Sequence, residues 1–208
     1  MKTIIWLVRH GETDYTASGR MQGHTDVPLN AAGRRQAQLL AASLAEAGLT
    51  AIHCSDLRRA RETAEIIGRG AGPKPKARPE LRERGYGSWE GLTVEAAKAE
   101  RPDLVAQWFD DFDRFCPPQG EDTLALRRRV LTAFQDIVAE SDGRRIAIVG
   151  HAGPLKEILC HALGVPAVGR RRIQLAPASV TVLTIDGGTA HLELLNDTCH
   201  LRASREAD

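Results

Sequence analysis

Short runs of apolar residues along the chain predict buried β-strands. They cover 3–8, 51–54 and 146–149. Continuous apolar runs of this length are typical of strands that are covered on both faces of a sheet. Later in the chain, apolar and polar residues alternate over 179–185 and over 189–195. We interpret this pair as an antiparallel hairpin, because Asp186-Gly187-Gly188 between the two segments supplies a turn.

Longer stretches between the strands have the apolar spacing of amphipathic helices. Asn30 is placed to cap the first of them, and prolines and glycines over 70–79 predict a loop. The predicted helices cover 31–48, 55–68, 95–101, 103–112, 121–140 and 154–163. Because strands alternate with helices, the pattern predicts a three-layer α/β/α sandwich with a central, mostly parallel sheet. We find no repeat and no linker, so a single domain is expected over 1–208.

Composition narrows the class of protein. The 208 residues are 42% hydrophobic, and 28 Lys+Arg oppose 27 Asp+Glu, so the net charge is +1. This balance argues against nucleic acid as a partner, and the ordinary apolar fraction excludes a disordered chain. The first apolar run is too short for a secretion signal or a membrane span. Four cysteines without a CxxC pair favour a reduced cytoplasmic enzyme over a zinc or dithiol site: Cys54, Cys116, Cys160 and Cys199.

Two predicted strands end in a histidine followed by a small residue. Arg9-His10-Gly11 closes the first strand, and His151-Ala152 follows the strand at 146–149. In α/β sheets, ligands bind outside the carboxyl ends of parallel strands, so neighbouring strands would bring both imidazoles into one crevice. A lone histidine of this kind is more often structural. The repeated arrangement, once with an arginine, favours a site for an anion.

The residues around these histidines resemble the histidine phosphatase superfamily, which includes the cofactor-dependent phosphoglycerate mutases. Arg9-His10-Gly11-Glu12-Thr13 is similar to the family signature. Other blocks of the family follow in the same order and extend the resemblance from residue 4 to about 160. They lie at 21–30 ("QG…D…PL"), 55–64 ("S.L.RA..TA"), 81–91 ("L.E…G.WEG"), 120–122 and 149–151.

This resemblance implies phosphoryl transfer without a metal or another cofactor. His10 would attack phosphorus and become a transient phosphohistidine. Arg9 and Arg59 would hold the phosphoryl oxygens, because guanidinium groups match them in a bidentate manner. His151 would donate to the same oxygens. Glu83 would protonate the leaving oxygen and then activate water; without the resemblance it is as readily a solvated loop carboxylate.

Further phosphate contacts follow from the same resemblance. They are expected from Gln22, Gly23 and the N–H group of Ala152. Thr16 stands where the family often has asparagine, and its hydroxyl can donate one hydrogen bond where an amide donates two. Met21 replaces an aromatic residue that often precedes the "QG" pair.

Several functions remain open within and beyond this family. The short chain and the absence of an "ERHYG…GLNK" run favour a phosphatase over a phosphoglycerate mutase. The segment 195–201 resembles one in α-ribazole phosphatases and phosphoserine phosphatases, so α-ribazole 5′-phosphate is the leading substrate. A broad-specificity or phosphoserine phosphatase is the alternative. A catalytically idle binding or regulatory relative is disfavoured by the complete set of catalytic residues, and a metallo-phosphatase by the lack of a ligand cluster.

The remaining polar and aromatic residues are interpreted as structural. Arg127-Arg128-Arg129 is expected on a solvated helix face. The basic cluster 169–172 is expected in a loop that does not touch an anionic substrate tail. Trp89 and Trp108 are expected to pack near the mouth of the site. The expected partner is a small phosphorylated metabolite, not nucleic acid or a membrane. An exposed edge of the hairpin could also pair with a second subunit as a homodimer.

Overall fold

A six-stranded sheet forms the centre of the computed structural model, which describes residues 1–204. Its strands are β1 (Thr3–Arg9), β2 (Ala51–Cys54), β3 (Lys76–Ala77), β4 (Arg145–Gly150), β5 (Val180–Asp186) and β6 (Thr189–Asp197). Their order across the sheet is β3-β2-β4-β1-β5-β6. The first four are parallel, and β5 and β6 form an antiparallel hairpin beside β1. The predicted mostly parallel sheet with a late hairpin is therefore confirmed.

Within residues 1–204, six of seven helices lie near predicted positions, with differences at their ends; the short helix over 14–17 was not predicted. They are α1 (Asp14–Ala17), α2 (Ala31–Ser43), α3 (Arg58–Ala71), α4 (Val94–Glu100), α5 (Pro102–Asp110), α6 (Thr123–Ala139) and α7 (Ala152–Ala162). The helix predicted over 31–48 was too long, because the chain turns after Ser43 and buries both Leu44 and Leu49 in the core. The strand β3 lies within the predicted loop 70–79; two residues are too few to give a pattern.

The start of α7 has a consequence for the site. Pro154 predicted the first helical turn at 154, but the helix already begins at Ala152, directly after His151. Proline is tolerated there because the first N–H groups of a helix have no partner within the helix. The free N–H groups of α7 therefore lie beside the second histidine.

The sheet is buried on both faces, which explains its continuous apolar strands. In β4, Ile146 and Ile148 pack against α6 and α7, whereas Ala147 and Val149 pack against α2 and α3. Alternate residues of one strand thus enter two different cores. The result is the three-layer α/β/α sandwich that the pattern predicts. No helix of the described region, 1–204, is long and apolar enough to span a membrane.

A third apolar cluster lies beside the sheet and contains residues from 85–120. Trp89 and Trp108 pack together with ring centroids 5.6 Å apart, and Phe115 stacks on Trp89. Met21 belongs to this cluster and also lines the cavity described below. The two tryptophans therefore pack next to the site, as expected.

Candidate active site

The two strand-end histidines meet at the carboxyl edge of the sheet. β1 and β4 are adjacent and parallel, with Arg9 opposite Gly150. The backbone N–H of His10 donates to the carbonyl of Gly150 over 2.9 Å. The rings of His10 and His151 lie edge to face with centroids 5.1 Å apart, and both residues are almost fully buried. The prediction that both imidazoles share one crevice is confirmed.

Hydrogen bonds assign a different tautomer to each ring. Nδ1 of His10 lies 2.7 Å from the carbonyl oxygen of Gly11, which can only accept, so Nδ1 carries the proton and Nε2 keeps a lone pair. Nδ1 of His151 accepts from Nε of Arg59 over 3.2 Å. The proton of His151 is therefore on Nε2, which is buried and without a partner among the described residues. One ring presents a nucleophile and the other a donor.

Burial keeps both rings neutral. It lowers the pKa of His10 well below its ordinary value, and the positive charges of Arg9 and Arg59 lower it further. The pKa of His151 is lowered in the same way, by burial first and then by Arg59. A neutral imidazole is the form that can attack phosphorus.

Arg59 is completely buried and makes hydrogen bonds in three directions. Besides His151, it donates to the carbonyls of Gly23, over 2.7 Å, and Thr25, over 2.9 Å. Burial lowers its pKa to about 10, so the guanidinium stays cationic at neutral pH. Gly23 thus holds Arg59 through its carbonyl, and the structure shows no cavity-lining role for the phosphate contact expected of Gly23.

Glu90 is a positioning residue that the sequence analysis missed. Its carboxylate accepts hydrogen bonds from the backbone N–H groups of His24, Thr25 and Tyr86, over 2.8–3.0 Å. It therefore fixes the loop whose carbonyls hold Arg59. The "WEG" block contains Glu90, but the pattern does not show what its carboxylate contacts.

The reaction cavity lies in front of His10 and has a volume of about 330 Å³. Five of the predicted site residues line it: Arg9, His10, Arg59, Glu83 and Ala152. His151 is not part of this lining, but its ring is in contact with that of His10. Arg9 donates to the carbonyl of Leu175, and its Nε is buried without a partner within 1–204. The cavity therefore gathers donors and cations suited to a phosphoryl group.

Glu83 is held at the wall of this cavity by backbone groups. Its Oε1 accepts from the N–H of Arg84 over 2.9 Å, and its Oε2 accepts from the N–H of Gly153 over 3.2 Å. Gly153 belongs to the first turn of α7, where free N–H groups favour a carboxylate. The alternative interpretation, a solvated loop carboxylate, does not describe this environment.

Arg129 also positions Glu83. It donates to backbone carbonyls within 80–83 and forms a two-bond ion pair with Glu121. Arg127 pairs with the buried Glu157 over 2.8 Å. The interpretation of this helix face as solvated is therefore wrong for both arginines. The sequence places both arginines on one helix, but it does not show which groups of other elements face them.

The remaining phosphate contacts have mixed outcomes. Gln22 lines the reaction cavity, and its amide oxygen accepts from the hydroxyl of Thr13 over 2.9 Å. Thr16 also lines the cavity, but its hydroxyl accepts from the N–H of Thr13 and donates to the carbonyl of Thr13. The hydroxyl hydrogen of Thr16 is thus engaged within this turn, where Thr16 completes the cap of α1. The expected contact with phosphate stays a prediction.

An α/β fold that places a neutral imidazole nucleophile among buried arginines defines a phosphoryl-transfer enzyme. The chain belongs to the histidine phosphatase superfamily (branch 1), whose family model matches residues 5–198.

Some of the proteins similar to this chain are named phosphatases, and others are named phosphoglycerate mutases. The chain is 33% identical over 192 residues to the adenosylcobalamin/alpha-ribazole phosphatase of Salmonella typhimurium, covering 92% of this chain and 95% of the relative. It is 36% identical over 177 residues to "Probable phosphoglycerate mutase GpmB" of Escherichia fergusonii, covering 85% and 82%. The solved alpha-ribazole phosphatase of Shigella flexneri superimposes with a TM-score of 0.85 at 30% identity, covering 93% and 96%. The family resemblance is confirmed, and these names alone do not select a substrate.

Proposed function

We propose that the protein hydrolyses small phosphomonoesters through a phosphohistidine at His10. The observation that carries this proposal is the pair of opposite tautomers. His10 has a free lone pair on Nε2, while His151 has an unpartnered N–H on Nε2 next to it. No protein group satisfies that donor among the described residues, and a phosphoryl oxygen would.

In the first step, Nε2 of His10 attacks phosphorus and the bond from phosphorus to the ester oxygen breaks. Arg9 and Arg59 neutralise the charge on the phosphoryl oxygens. Glu83, in its protonated form, gives its proton to the departing oxygen, so an alcohol leaves. The hydrogen bond from Nδ1 of His10 to Gly11 holds the ring while the N–P bond forms.

In the second step, water replaces the alcohol. The Glu83 carboxylate takes a proton from water, whose oxygen attacks phosphorus as the N–P bond breaks. Inorganic phosphate leaves, and His10 is neutral again. Gly19 and Arg20, which line the cavity, are exposed to solvent. This access supports hydrolysis over the mutase alternative, which must keep water away from the phosphohistidine.

The tail segment that suggests α-ribazole 5′-phosphate supports the cavity wall. Asn196 accepts a hydrogen bond from the N–H of Ala176 over 2.7 Å. Ala176 lies between Leu175, whose carbonyl binds Arg9, and Pro177, which lines the reaction cavity. A supporting role accounts for this segment without substrate contact. α-Ribazole 5′-phosphate therefore rests on the names of relatives and is proposed only as one member of a substrate panel.

The experiment is trapping of the phosphoenzyme from radiolabelled substrate in an alkaline denaturing quench, together with steady-state hydrolysis. The panel contains α-ribazole 5′-phosphate, phosphoserine and 3-phosphoglycerate, with mutase turnover followed in parallel. We expect an acid-labile phosphoenzyme that His10→Ala abolishes and that the exposed neighbour variant Arg58→Ala retains. Equal labelling of His10→Ala would refute the nucleophile. Absence of both label and turnover would favour the idle relative.

Partner and location follow as further proposals. A small phosphorylated metabolite fits the size of the reaction cavity. The four cysteines of the described chain are free thiols, which supports a reducing compartment such as the cytoplasm. A homodimer would use the edge strand β6, where Leu192, Leu194 and Leu195 are exposed. Light scattering of the purified protein tests that proposal.

A further inference from the structure

A second cavity adjoins the reaction cavity. It has a volume of about 260 Å³, and Glu83, Tyr86 and Ala152 line both. We call it the side cavity. If Glu83 protonates the leaving oxygen, as the proposed function requires, the rest of the leaving group extends past Glu83. The side cavity is the space on that path, so its chemistry decides which leaving groups fit.

One of the cations that line the side cavity is fully paired. Arg170 is only 4% exposed and forms ion pairs with Glu157 and Asp113. This network joins α7 to the segment after α5. The basic cluster 169–172 was expected in a loop, and it forms the end of a 3-10 helix over 167–172. Arg170 builds the cavity wall and has little charge left for a ligand.

Three other cations on this wall have no carboxylate partner. Arg84, Lys156 and Arg171 line the side cavity, and none forms a salt bridge with any residue in 1–204. Arg84 is buried and donates to two carbonyls, but its Nη1 has no partner among the described residues. Lys156 is partly buried, and burial lowers its pKa. Two carboxylates, Glu83 and Glu157, also line the cavity, and Glu157 is already paired with Arg127 and Arg170. The four cations of the lining therefore outnumber its carboxylates, which favours an anionic ligand.

The guanidinium groups on this wall are held in place before any ligand binds. The guanidinium carbons of Arg84 and Arg171 lie 5.2 and 5.6 Å from the ring centroid of Phe112. Arg171 also donates to the carbonyl of Phe109 over 3.0 Å. Contacts with a ring face orient a cation without cancelling its charge. The side cavity is therefore a preformed pocket with excess positive charge.

We propose that the side cavity binds a second anionic group, a carboxylate or a phosphate, on the leaving group of the substrate. The preferred substrates are then small phosphomonoesters whose alcohol is itself an anion. This proposal rests on the proposed hydrolysis at His10 and deepens it. It also ranks 3-phosphoglycerate above α-ribazole 5′-phosphate, whose leaving group is a neutral nucleoside.

The test compares substrates that differ in one group. 3-Phosphoglycerate and glycerol 3-phosphate differ by a carboxylate in place of a hydroxymethyl group. Propane-1,3-diol bisphosphate and propyl phosphate test a second phosphate in the same way. We expect kcat/KM to favour the anionic member by about ten- to a hundredfold, as for one charge-assisted hydrogen bond. The pair with the larger ratio identifies which anion the side cavity prefers.

Variants locate the effect. Lys156→Met and Arg171→Met each remove one charge and leave an unbranched apolar side chain in its place. The ratio of kcat/KM between the two substrates of each pair should therefore fall towards one. The matched control is Arg172→Met, which is exposed like Arg171 and belongs to the same basic cluster but lies outside the cavity lining; its ratio should equal that of the wild type. Taking ratios cancels effects on steps that both substrates share. Added salt should lower the wild-type ratio, because it screens the charge.

The failures of the two proposals are distinguishable. If no substrate forms a phosphoenzyme, hydrolysis at His10 is wrong. If the phosphoenzyme forms while the wild-type ratios stay within twofold, only the side-cavity proposal is overturned. Ratios that survive Lys156→Met and Arg171→Met would overturn it as well, as would a higher kcat/KM for α-ribazole 5′-phosphate than for 3-phosphoglycerate.

Discussion

Gly153→Ala should separate activity from stability. A Cβ at this position would lie 2.2 Å from Oε1 of Glu83, far inside the ordinary contact range that begins at 3.4 Å. The atom it meets is the far end of a flexible side chain. Glu83 can therefore move aside while α7 stays in place, and the hydrogen bond from the N–H of Gly153 is stretched or lost.

The geometry sets the size of the effect. Oε1 must move by about 1 Å, and a displacement of that size in a catalytic group costs about a hundredfold in rate. A hundredfold loss in kcat/KM corresponds to about 2.7 kcal/mol of transition-state stabilisation. Alanine is a better helix former than glycine by about 0.5–1 kcal/mol. We therefore expect the free energy of unfolding to stay unchanged or to rise.

The assay uses the leaving group as an internal control. Alkyl phosphates need a proton from Glu83 on the departing oxygen, whereas p-nitrophenolate leaves without one. Gly153→Ala should therefore slow the first step for glycerol 3-phosphate but hardly for p-nitrophenyl phosphate. The second step still needs Glu83, so with p-nitrophenyl phosphate the phosphoenzyme should accumulate after an initial burst. Glu83→Gln should show the same signature, and the double variant should lose little more.

Two results would refute this reasoning. A folded Gly153→Ala that hydrolyses both substrates at wild-type rates would show that the Glu83 carboxylate does not act where the structure places it. Equal slowing of both substrates in the first step would show that the substitution disturbs phosphate binding rather than protonation. Denaturant unfolding of each variant confirms that a folded protein is being compared.

Further predictions follow from the groups that hold the site. Arg129→Met should lower kcat for alkyl phosphates at least tenfold, because the segment that carries Glu83 loses the hydrogen bonds that hold it. The control is Arg128→Met at an exposed position. Equal kinetics for the two variants would contradict the role of Arg129. Glu90→Ala should raise KM about tenfold or more, since the loop that holds Arg59 loses its acceptor, and steady-state kinetics with inorganic phosphate inhibition measure it. Three histidines are buried with lowered pKa values, and that of His53 falls from 6.5 to about 4. The unfolded chain then binds more protons in acid, so stability that is complete above about pH 6.5 should fall as the pH drops towards 4; urea unfolding across this range measures the slope, and His53→Gln should flatten it. Excess chelator should leave hydrolysis unchanged, whereas complete loss of activity would show that a metal takes part.

The residues that do chemistry are recognisable because they stand at fixed places relative to strands. His10 and His151 each follow a buried strand, and parallel strands share a carboxyl edge, so their meeting follows from the pattern. Arg59 and Glu83 lie on other elements, and only the family resemblance singled them out. Thr16 shows the limit of assigning roles by family resemblance, because its hydroxyl takes part in the cap of α1.

The groups that position the site left little signal in the sequence. Glu90 and Arg129 act on backbone N–H and carbonyl groups, which every residue has, so no pattern of side chains marks their partners. In the basic cluster 169–172, the sequence likewise does not show which residues are buried. Its arginines look alike in sequence, yet Arg170 is buried in an ion-pair network and Arg172 is exposed. The difference arises from Glu157, which approaches from another helix.

The sequence by itself determined the alternation of strands and helices, the mostly parallel sheet and the convergence of the two histidines. These depend on local periodicity and on the shared direction of parallel strands. Only the tertiary structure decided the tautomers of the two rings, the anchoring of Glu83 by α7 and the uncompensated charge of the side cavity. Each of these arises where residues far apart in the chain come within a few ångströms, and such distances are set by the packing of whole elements.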